Sequence, residues 1–165
     1  DFTDGWGGRH PADVPVFVHG RAAWAEGVGE RLTPVDLPEP VYLVVCPSCT
    51  VSTHTVFQAP ELTRNSPPTT IAAFFGQADG FTPTNDCEPV VRRRYPQVAG
   101  ALDWLGRHAP ARLTGTGSCV FAAFGEEDRA RAVMRELPPD WQGCIARGLN
   151  RSPLLDRVAK QTIGA

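Results

Sequence analysis

The sequence has no apolar run long enough to cross a membrane and no excess of positive charge. Its longest apolar runs, such as Val41–Val45, contain far fewer than the roughly 20 residues that a membrane-spanning helix needs. Charged residues make up 21% of the chain and the formal net charge is -2, so no broad basic field attracts nucleic acid or anionic lipid. We therefore predict neither a membrane nor a nucleic acid as a partner, and the oligomeric state stays open.

Start signals are also scarce. Met134 is the only methionine, and the first residues lack the basic and then apolar pattern of a secretory leader. No internal repeat or low-complexity tract is present. We expect the chain to begin inside a longer protein.

The cysteines do not form a regular framework. They number five, an odd count, and are Cys46, Cys49, Cys87, Cys119 and Cys144. Such a set is more typical of reduced thiols in a cytosol than of a secreted disulfide scaffold. We therefore expect free thiols and a cytoplasmic location.

The chain is long enough to bury a substantial core. A protein of 165 residues removes roughly 70% of its unfolded surface from water on folding. Asp36–Pro40 contains two prolines and two acids and is the expected boundary between subdomains. This gives three predicted ranges, which are residues 1–38, 39–156 and 157–165.

The segments on either side of this boundary are predicted to be strands. Pro15–Val18 is predicted to be a short strand, because the preceding Val14 is held extended by the proline. Two short strands are expected on either side of Gly27–Gly29, where glycines permit a turn. Val41–Val45 is apolar without interruption, which is typical of a strand buried on both faces.

Later elements follow from capping residues and apolar spacing. Ser52 or Thr53 is expected to cap a short helix, and Asn85 or Asp86 a helix running to Arg94. Pro96 suits the first turn of the next helix. Two strands, a helix and a last strand are then predicted over 112–114, 119–124, 126–137 and 142–149. From Val41 onward, this order predicts the split βαβ arrangement of a ferredoxin-like α+β domain.

Cys46-Pro47-Ser48-Cys49 has the spacing of a redox or zinc motif. A tetrahedral zinc site needs four ligands, and no second cysteine pair is present. A thioredoxin-like site needs a helix that begins at the first cysteine, whereas this pair closes a strand and enters a Ser/Thr-rich turn. We interpret both residues as structural thiols and predict no metal site.

Each of three other features has a structural interpretation beside a functional one. Gly115-Thr116-Gly117-Ser118 lies between strands, where glycines let the backbone approach an anion closely, but a tight hairpin has the same pattern. No Gly-Lys-Ser/Thr follows, so this is not a Walker A loop. Asp13, directly before an apolar strand, is on local evidence a capping or solvated acid. The Arg92–Arg94 run points in three directions on a helix, which predicts a solvated surface.

Several blocks together resemble a known family. They are residues 11–18, 25–30, 32–35, 60–65, 85–88, 112–122 and 148–154. In this order and spacing they resemble the GHMP superfamily of small-molecule kinases, in particular its members that act on a cytidine diphosphate ester of methylerythritol. The resemblance covers roughly residues 12–154. It implies a C-terminal GHMP kinase domain together with the last strands of the N-terminal lobe.

The resemblance also implies an activity and residue roles. The reaction would be ATP-dependent phosphorylation of the 2-hydroxyl of 4-diphosphocytidyl-2-C-methyl-D-erythritol in non-mevalonate isoprenoid precursor biosynthesis. Asp13 would be the catalytic base, and Phe57 would stack on the cytosine. Val28 and Thr53 would lie near the substrate. The loop Gly115, Thr116, Gly117 and Ser118 would support the phosphate-binding region.

The sequence departs from the family pattern in three places. Pro11 and Gln58 stand where the family usually has glycine and lysine. The catalytic lysine and the Pro-x-x-x-Gly-Leu-Gly-Gly-Gly-Ser-Ser loop of the family are missing from these 165 residues. ATP and Mg2+ would then be bound mainly by the missing N-terminal half, and we expect the isolated chain to be inactive, since phosphoryl transfer depends on positioning.

Two alternatives belong to other functional classes. One is a non-catalytic ferredoxin-like domain that retains partial nucleoside binding. The other is an RNA-binding module, which needs exposed aromatics on the sheet with a basic rim. The strand over 119–124 lacks the basic residues for that role.

Overall fold

The chain forms two units in the computed structural model. Unit 1 contains residues 1–39 and 148–165, and unit 2 contains residues 40–147. The residues that the structure describes are 14–27, 29–67, 70–71, 74, 84–155 and 157. The predicted domain ranges 1–38, 39–156 and 157–165 stay a prediction.

Unit 1 contains a short helix and a hairpin. Helix α1 is Val14–His19, strand β1 is Ala23–Glu26 and strand β2 is Arg31–Pro34. The strands pair antiparallel, which confirms the two strands predicted here. Gly27 has φ +70°, a backbone conformation that glycine adopts at little cost, and so it lets the chain turn between them.

Helix α1 contradicts the predicted strand over Pro15–Val18. A proline in the first helical turn costs little, because the N–H that it lacks would have no helical partner there. The helix ends at His19 and is followed by Gly20, whose φ is +68° and whose N–H donates to the Val16 carbonyl at 2.9 Å. A short apolar run carries no periodicity that separates a strand from a helix, and this explains the wrong prediction.

Unit 2 is built on a four-stranded antiparallel sheet. Its strands are β3 (Val41–Cys46), β4 (Ala111–Leu113), β5 (Val120–Phe124) and β6 (Gln142–Arg147). The spatial order is β4-β5-β3-β6. This order, reached through helices between β3 and β4 and between β5 and β6, is that of the split βαβ fold. The predicted ferredoxin-like α+β class is therefore confirmed.

Four helices are described in unit 2, and side chains predicted to cap the first two accept hydrogen bonds at the starts of those helices. They are α2 (Thr53–Phe57), α3 (Cys87–Arg94), α4 (Pro96–Gly106) and α5 (Glu127–Arg135). Ser52 Oγ accepts from the Thr55 N–H at 3.2 Å, and Asn85 Oδ1 accepts from the Cys87 N–H at 3.0 Å. Both satisfy donors that a helix start leaves open.

The core lies on one face of the sheet. Leu43 and Val45 in β3 have no exposed surface, while Tyr42 and Val44 on the other face are half-buried. The prediction that β3 is buried on both faces is therefore wrong. Residues of the helices complete the core, among them Val90, Val98, Leu102, Leu105 and Val133. In the described part of the chain, no helix has the length and apolar character to span a bilayer.

Candidate substrate-binding site

The glycine-rich loop between β4 and β5 is a tight turn. Both the N–H and the hydroxyl of Thr114 donate to the Cys119 carbonyl, at 3.0 and 3.1 Å. Gly115 and Gly117 have φ of +47° and +88°, which favours glycine at both positions. A Cβ at Gly117 would also lie 3.1 Å from Leu113 Cδ1. The loop therefore has the hairpin geometry that the sequence allowed, and phosphate binding by it stays a prediction.

Helix α2 contacts this loop through a pair of hydroxyls. Thr53 Oγ1 lies 2.9 Å from Thr116 Oγ1. Thr53 and Phe57 are four residues apart on the same helix, a spacing that puts both on one face. The fold thus brings two predicted site features into contact, the Thr53 hydroxyl and the loop, while Phe57 lies one helical turn from Thr53.

Phe57 is the last residue of α2, and it presents an aromatic ring to solvent. It is 53% exposed, although its neighbours Val56 and Ala59 are completely buried. Large aromatic side chains usually lose most of their exposed area on folding, and an exposed one offers a flat apolar face to a ligand. This exposure fits the predicted stacking role, which itself stays a prediction.

Asn85 holds the same loop from the side of α3. Its Nδ2 donates to the carbonyls of Leu113 at 3.2 Å and Gly115 at 2.7 Å. Sequence reasoning treated Asn85 only as a helix cap, and its family block Asn85-Asp86-Cys87-Glu88 was the one signal of a further role. Because the side chain also caps α3, the position of the loop is coupled to the start of that helix.

A disulfide joins Cys46 to Cys119, so the prediction of reduced thiols is wrong for these two residues. Val45 and Val120 are paired in the register of β3 and β5, which places the residues just beyond them opposite each other. The bond links positions 73 residues apart in sequence. It ties the end of β3 to the base of the glycine-rich loop.

The remaining cysteines are free thiols, and Cys49 does not pair with Cys46. Burial raises the pKa of Cys49, and burial together with the charge of Asp86 raises that of Cys87. A raised pKa keeps a thiol protonated and poorly nucleophilic. No cluster of histidine, cysteine or acidic side chains suited to a metal ion occurs among the described residues.

The arginine run on α3 forms ion pairs. Arg94 donates from Nε and Nη2 to the two carboxylate oxygens of Glu61, at 2.7 and 2.8 Å. These hydrogen bonds lower the pKa of Glu61. Arg92 Nε lies 3.1 Å from Glu88 Oε1, and Arg92 Nη1 lies 2.6 Å from Asp103 Oδ1. Instead of a purely solvated surface, two of the three arginines connect α3 to neighbouring segments.

Two predicted site residues, Asp13 and Val28, lie outside the described residues. Their roles as catalytic base and as an apolar contact near the substrate therefore stay predictions. The same holds for the roles of Thr53 and Phe57 toward a ligand, although both positions are described.

Comparison with known proteins places these features in a family. A model of the C-terminal region of GHMP kinases matches residues 70–141. A curated relative from Nitrosococcus oceani is 56% identical over 150 residues, covering 90% of this chain and 52% of the relative. Another from Alkalilimnicola ehrlichii is 57% identical over 155 residues, covering 93% and 52%.

A solved structure gives the same result. It is titled "Crystal structure of 4-(cytidine 5'-diphospho)-2C-methyl-D-erythritol kinase" and is 29% identical to this chain, with a TM-score of 0.68. The match covers 83% of this chain and 53% of that one.

The chain belongs to the GHMP superfamily of small-molecule kinases. Within the superfamily it is similar to proteins named 4-diphosphocytidyl-2-C-methyl-D-erythritol kinase, and it spans about half the length of these relatives.

Proposed function

We propose that this chain is part of a kinase that transfers the γ-phosphoryl group of ATP to the 2-hydroxyl of 4-diphosphocytidyl-2-C-methyl-D-erythritol. The proposed context is non-mevalonate isoprenoid precursor biosynthesis in the cytoplasm. The names of the relatives support this substrate. Within the chain, the observation that carries the proposal is the contact of Thr53 Oγ1 with Thr116 Oγ1 of the glycine-rich loop at 2.9 Å, one helical turn from the exposed Phe57.

The proposed roles divide between the nucleobase and the phosphates. The ring of Phe57 stacks on the cytosine, a contact that a flat π-face makes with any base. Thr53 offers its hydroxyl to the substrate, and Val28 packs near the base. Loop residues 115–118 support the phosphate-binding region through their main chain. Within unit 2, Thr53, Phe57 and the loop would therefore orient the substrate.

Asp13 is proposed as the base that receives the proton of the substrate hydroxyl. Phosphoryl transfer relies on positioned charge, and a carboxylate within hydrogen-bond reach can accept the proton as the hydroxyl attacks. ATP bound with Mg2+ would supply the phosphoryl group and neutralise its charge. The described residues contain no cluster suited to that ion, and we assign no step to it. From the family resemblance, we propose that most of the nucleotide is bound by the N-terminal half that such kinases have.

The isolated chain is accordingly proposed to bind the substrate without phosphorylating it. Calorimetric titration with the cytidine diphosphate ester is expected to show saturable binding, and an assay with ATP and Mg2+ is expected to show no turnover. Titration with ADP serves as the nucleotide control. Clear turnover would refute the proposed inactivity of the chain, whereas no binding of the ester would refute the proposed substrate contacts of α2.

A second assay separates a kinase from a non-catalytic nucleoside-binding domain. The chain is co-expressed with the N-terminal half of the Alkalilimnicola ehrlichii kinase, a relative at 57% identity. If the chain is part of a kinase, the complex is expected to consume ATP when the ester is present, and Asp13→Asn is expected to abolish this. Formation of a stable complex with no turnover would favour the non-catalytic alternative.

A further inference from the structure

Arg64 binds the main chain at the end of α2. Its Nη2 donates to the carbonyl of Phe57 at 2.5 Å and to that of Ala59 at 3.2 Å. Its Nη1 donates to Ala59 at 3.3 Å and to Leu62 at 3.1 Å. One guanidinium therefore contacts three carbonyls, including that of the residue whose ring is exposed at the site.

The end of α2 depends on such contacts. A helix leaves its last carbonyls without helical partners, and a cation near them is favoured by the helix dipole. Helix α2 has five residues, whereas an isolated helix needs roughly 12 or more to be stable in water. The position of α2 is therefore set by packing and by side chains that bind its ends. At the C-terminal end, Arg64 binds the carbonyl of the last helical residue, Phe57.

The segment that carries Arg64 is itself fixed on both sides. Glu61 forms a two-pronged ion pair with Arg94 of α3. Ser66 Oγ donates to Asp86 Oδ2 at 2.7 Å. Arg64 lies between these two attachments in the sequence, so the main chain that carries its guanidinium is restrained on both sides, and the guanidinium can in turn restrain the carbonyls it binds.

We propose that Arg64 is a positioning residue for substrate binding, which fixes the main chain at Phe57 so that the exposed ring is held ready for the nucleobase. This inference rests on the proposed function, because the ligand of Phe57 is part of it. Arg64 acts through Phe57 and makes no contact with substrate. A planar fork suits three carbonyls better than the single ammonium of lysine does.

The first test needs no ligand. In Arg64→Gln, the NMR order parameter of the Phe57 amide is expected to fall from about 0.85 to below about 0.6, the range of a flexible backbone. Arg64→Lys is expected to give an intermediate value. Arg129→Gln, which changes an exposed arginine of α5, is expected to leave the amide rigid. An unchanged order parameter in Arg64→Gln would overturn the proposal.

The second test is a double-mutant cycle on affinity for the cytidine diphosphate ester. Arg64→Gln is expected to weaken binding about tenfold in the otherwise unchanged chain, and less than about twofold in Phe57→Ala, because coupled residues are not additive. Equal losses in both backgrounds would overturn the proposal. A mobile Phe57 amide with unchanged affinity in every variant would instead refute the proposed nucleobase contact while leaving the restraint by Arg64 intact.

Loss of folding does not block either test. Urea unfolding identifies a variant that is unfolded, and Arg64→Lys, which keeps the charge, then takes the place of Arg64→Gln in both. If Arg64→Gln is unfolded and Arg64→Lys is folded, a Phe57 amide that stays fully rigid in Arg64→Lys would overturn the proposal.

Discussion

Phe57→Ala is expected to weaken binding of the cytidine diphosphate ester roughly 5- to 150-fold, since stacking on an aromatic side chain contributes about 1–3 kcal/mol per base. The ring is 53% exposed, so its removal takes little from the core, and the free energy of unfolding is expected to change little. Calorimetric titration of both proteins measures the loss. The effect should fall on affinity and leave the fold intact.

Two substitutions at the same position separate the π-face from apolar area. Phe57→Tyr keeps the ring and is expected to bind within about threefold of the original chain, whereas Phe57→Leu retains apolar bulk without a π-face and is expected to lose most of the stacking contribution. If leucine binds as well as tyrosine, apolar area alone explains the contact. If alanine binds as well as phenylalanine, the ring has no role in recognition.

Leu43→Ala is expected to lower the free energy of unfolding of the chain by about 2–5 kcal/mol, the usual cost of a large-to-small change in a closed core. Leu43 is fully buried in β3, with Ala122 of β5 on one side and Ile145 of β6 on the other. A cavity at this point is surrounded by paired strands, which limits how far it can collapse. Urea unfolding followed by circular dichroism measures the change.

Val44→Ala is the matched control, because it changes the next residue of the same strand on the opposite face. Val44 is only half-buried, and loss of its methyl groups is expected to cost about 0.5–1 kcal/mol. A cost for Val44→Ala equal to that for Leu43→Ala would contradict the conclusion that the core lies on one face of the sheet.

The fold of unit 2 could be predicted because its signals are local. Glycine and proline positions, helix caps at Ser52 and Asn85, and apolar spacing in α4 and α5 each indicate one element, and their order then selects the split βαβ arrangement. The strand predicted over segment 15–18 was wrong for a physical reason. Four residues with one proline fit the first turn of a helix as well as a strand.

Features that depend on strand register could not be predicted. The apolar run of β3 suggested burial on both faces, but the helices cover only one of them, and nothing local reports which layers pack on a sheet. The disulfide between Cys46 and Cys119 requires β3 and β5 to be paired in one particular register. Cysteine counting alone favoured reduced thiols.

Residues of the candidate site were assigned through family resemblance, and their roles toward a ligand stay predictions. Thr53, Phe57 and the loop at 115–118 were assigned from matching blocks, and the fold places Thr53 beside Thr116. The hydrogen bonds of Asn85 and Arg64 could not be predicted, because each is made to main-chain carbonyls that the chain brings close only after folding. For Asp13 and Val28, the family resemblance remains the only basis for a role.

The central claim is that the ring at the end of α2 meets the cytosine of the substrate. Intermolecular nuclear Overhauser effects between aromatic ring protons of the protein and protons of the base test this directly. The resonances of the Phe57 ring are assigned by comparison with the Phe57→Leu variant. We predict contacts from the cytosine H5 and H6 protons to the Phe57 ring, which disappear in Phe57→Leu. The rings of Tyr42 and Phe121 also pack together on the sheet, with their centroids 5.8 Å apart. Contacts from the cytosine protons to these two rings alone would contradict the account.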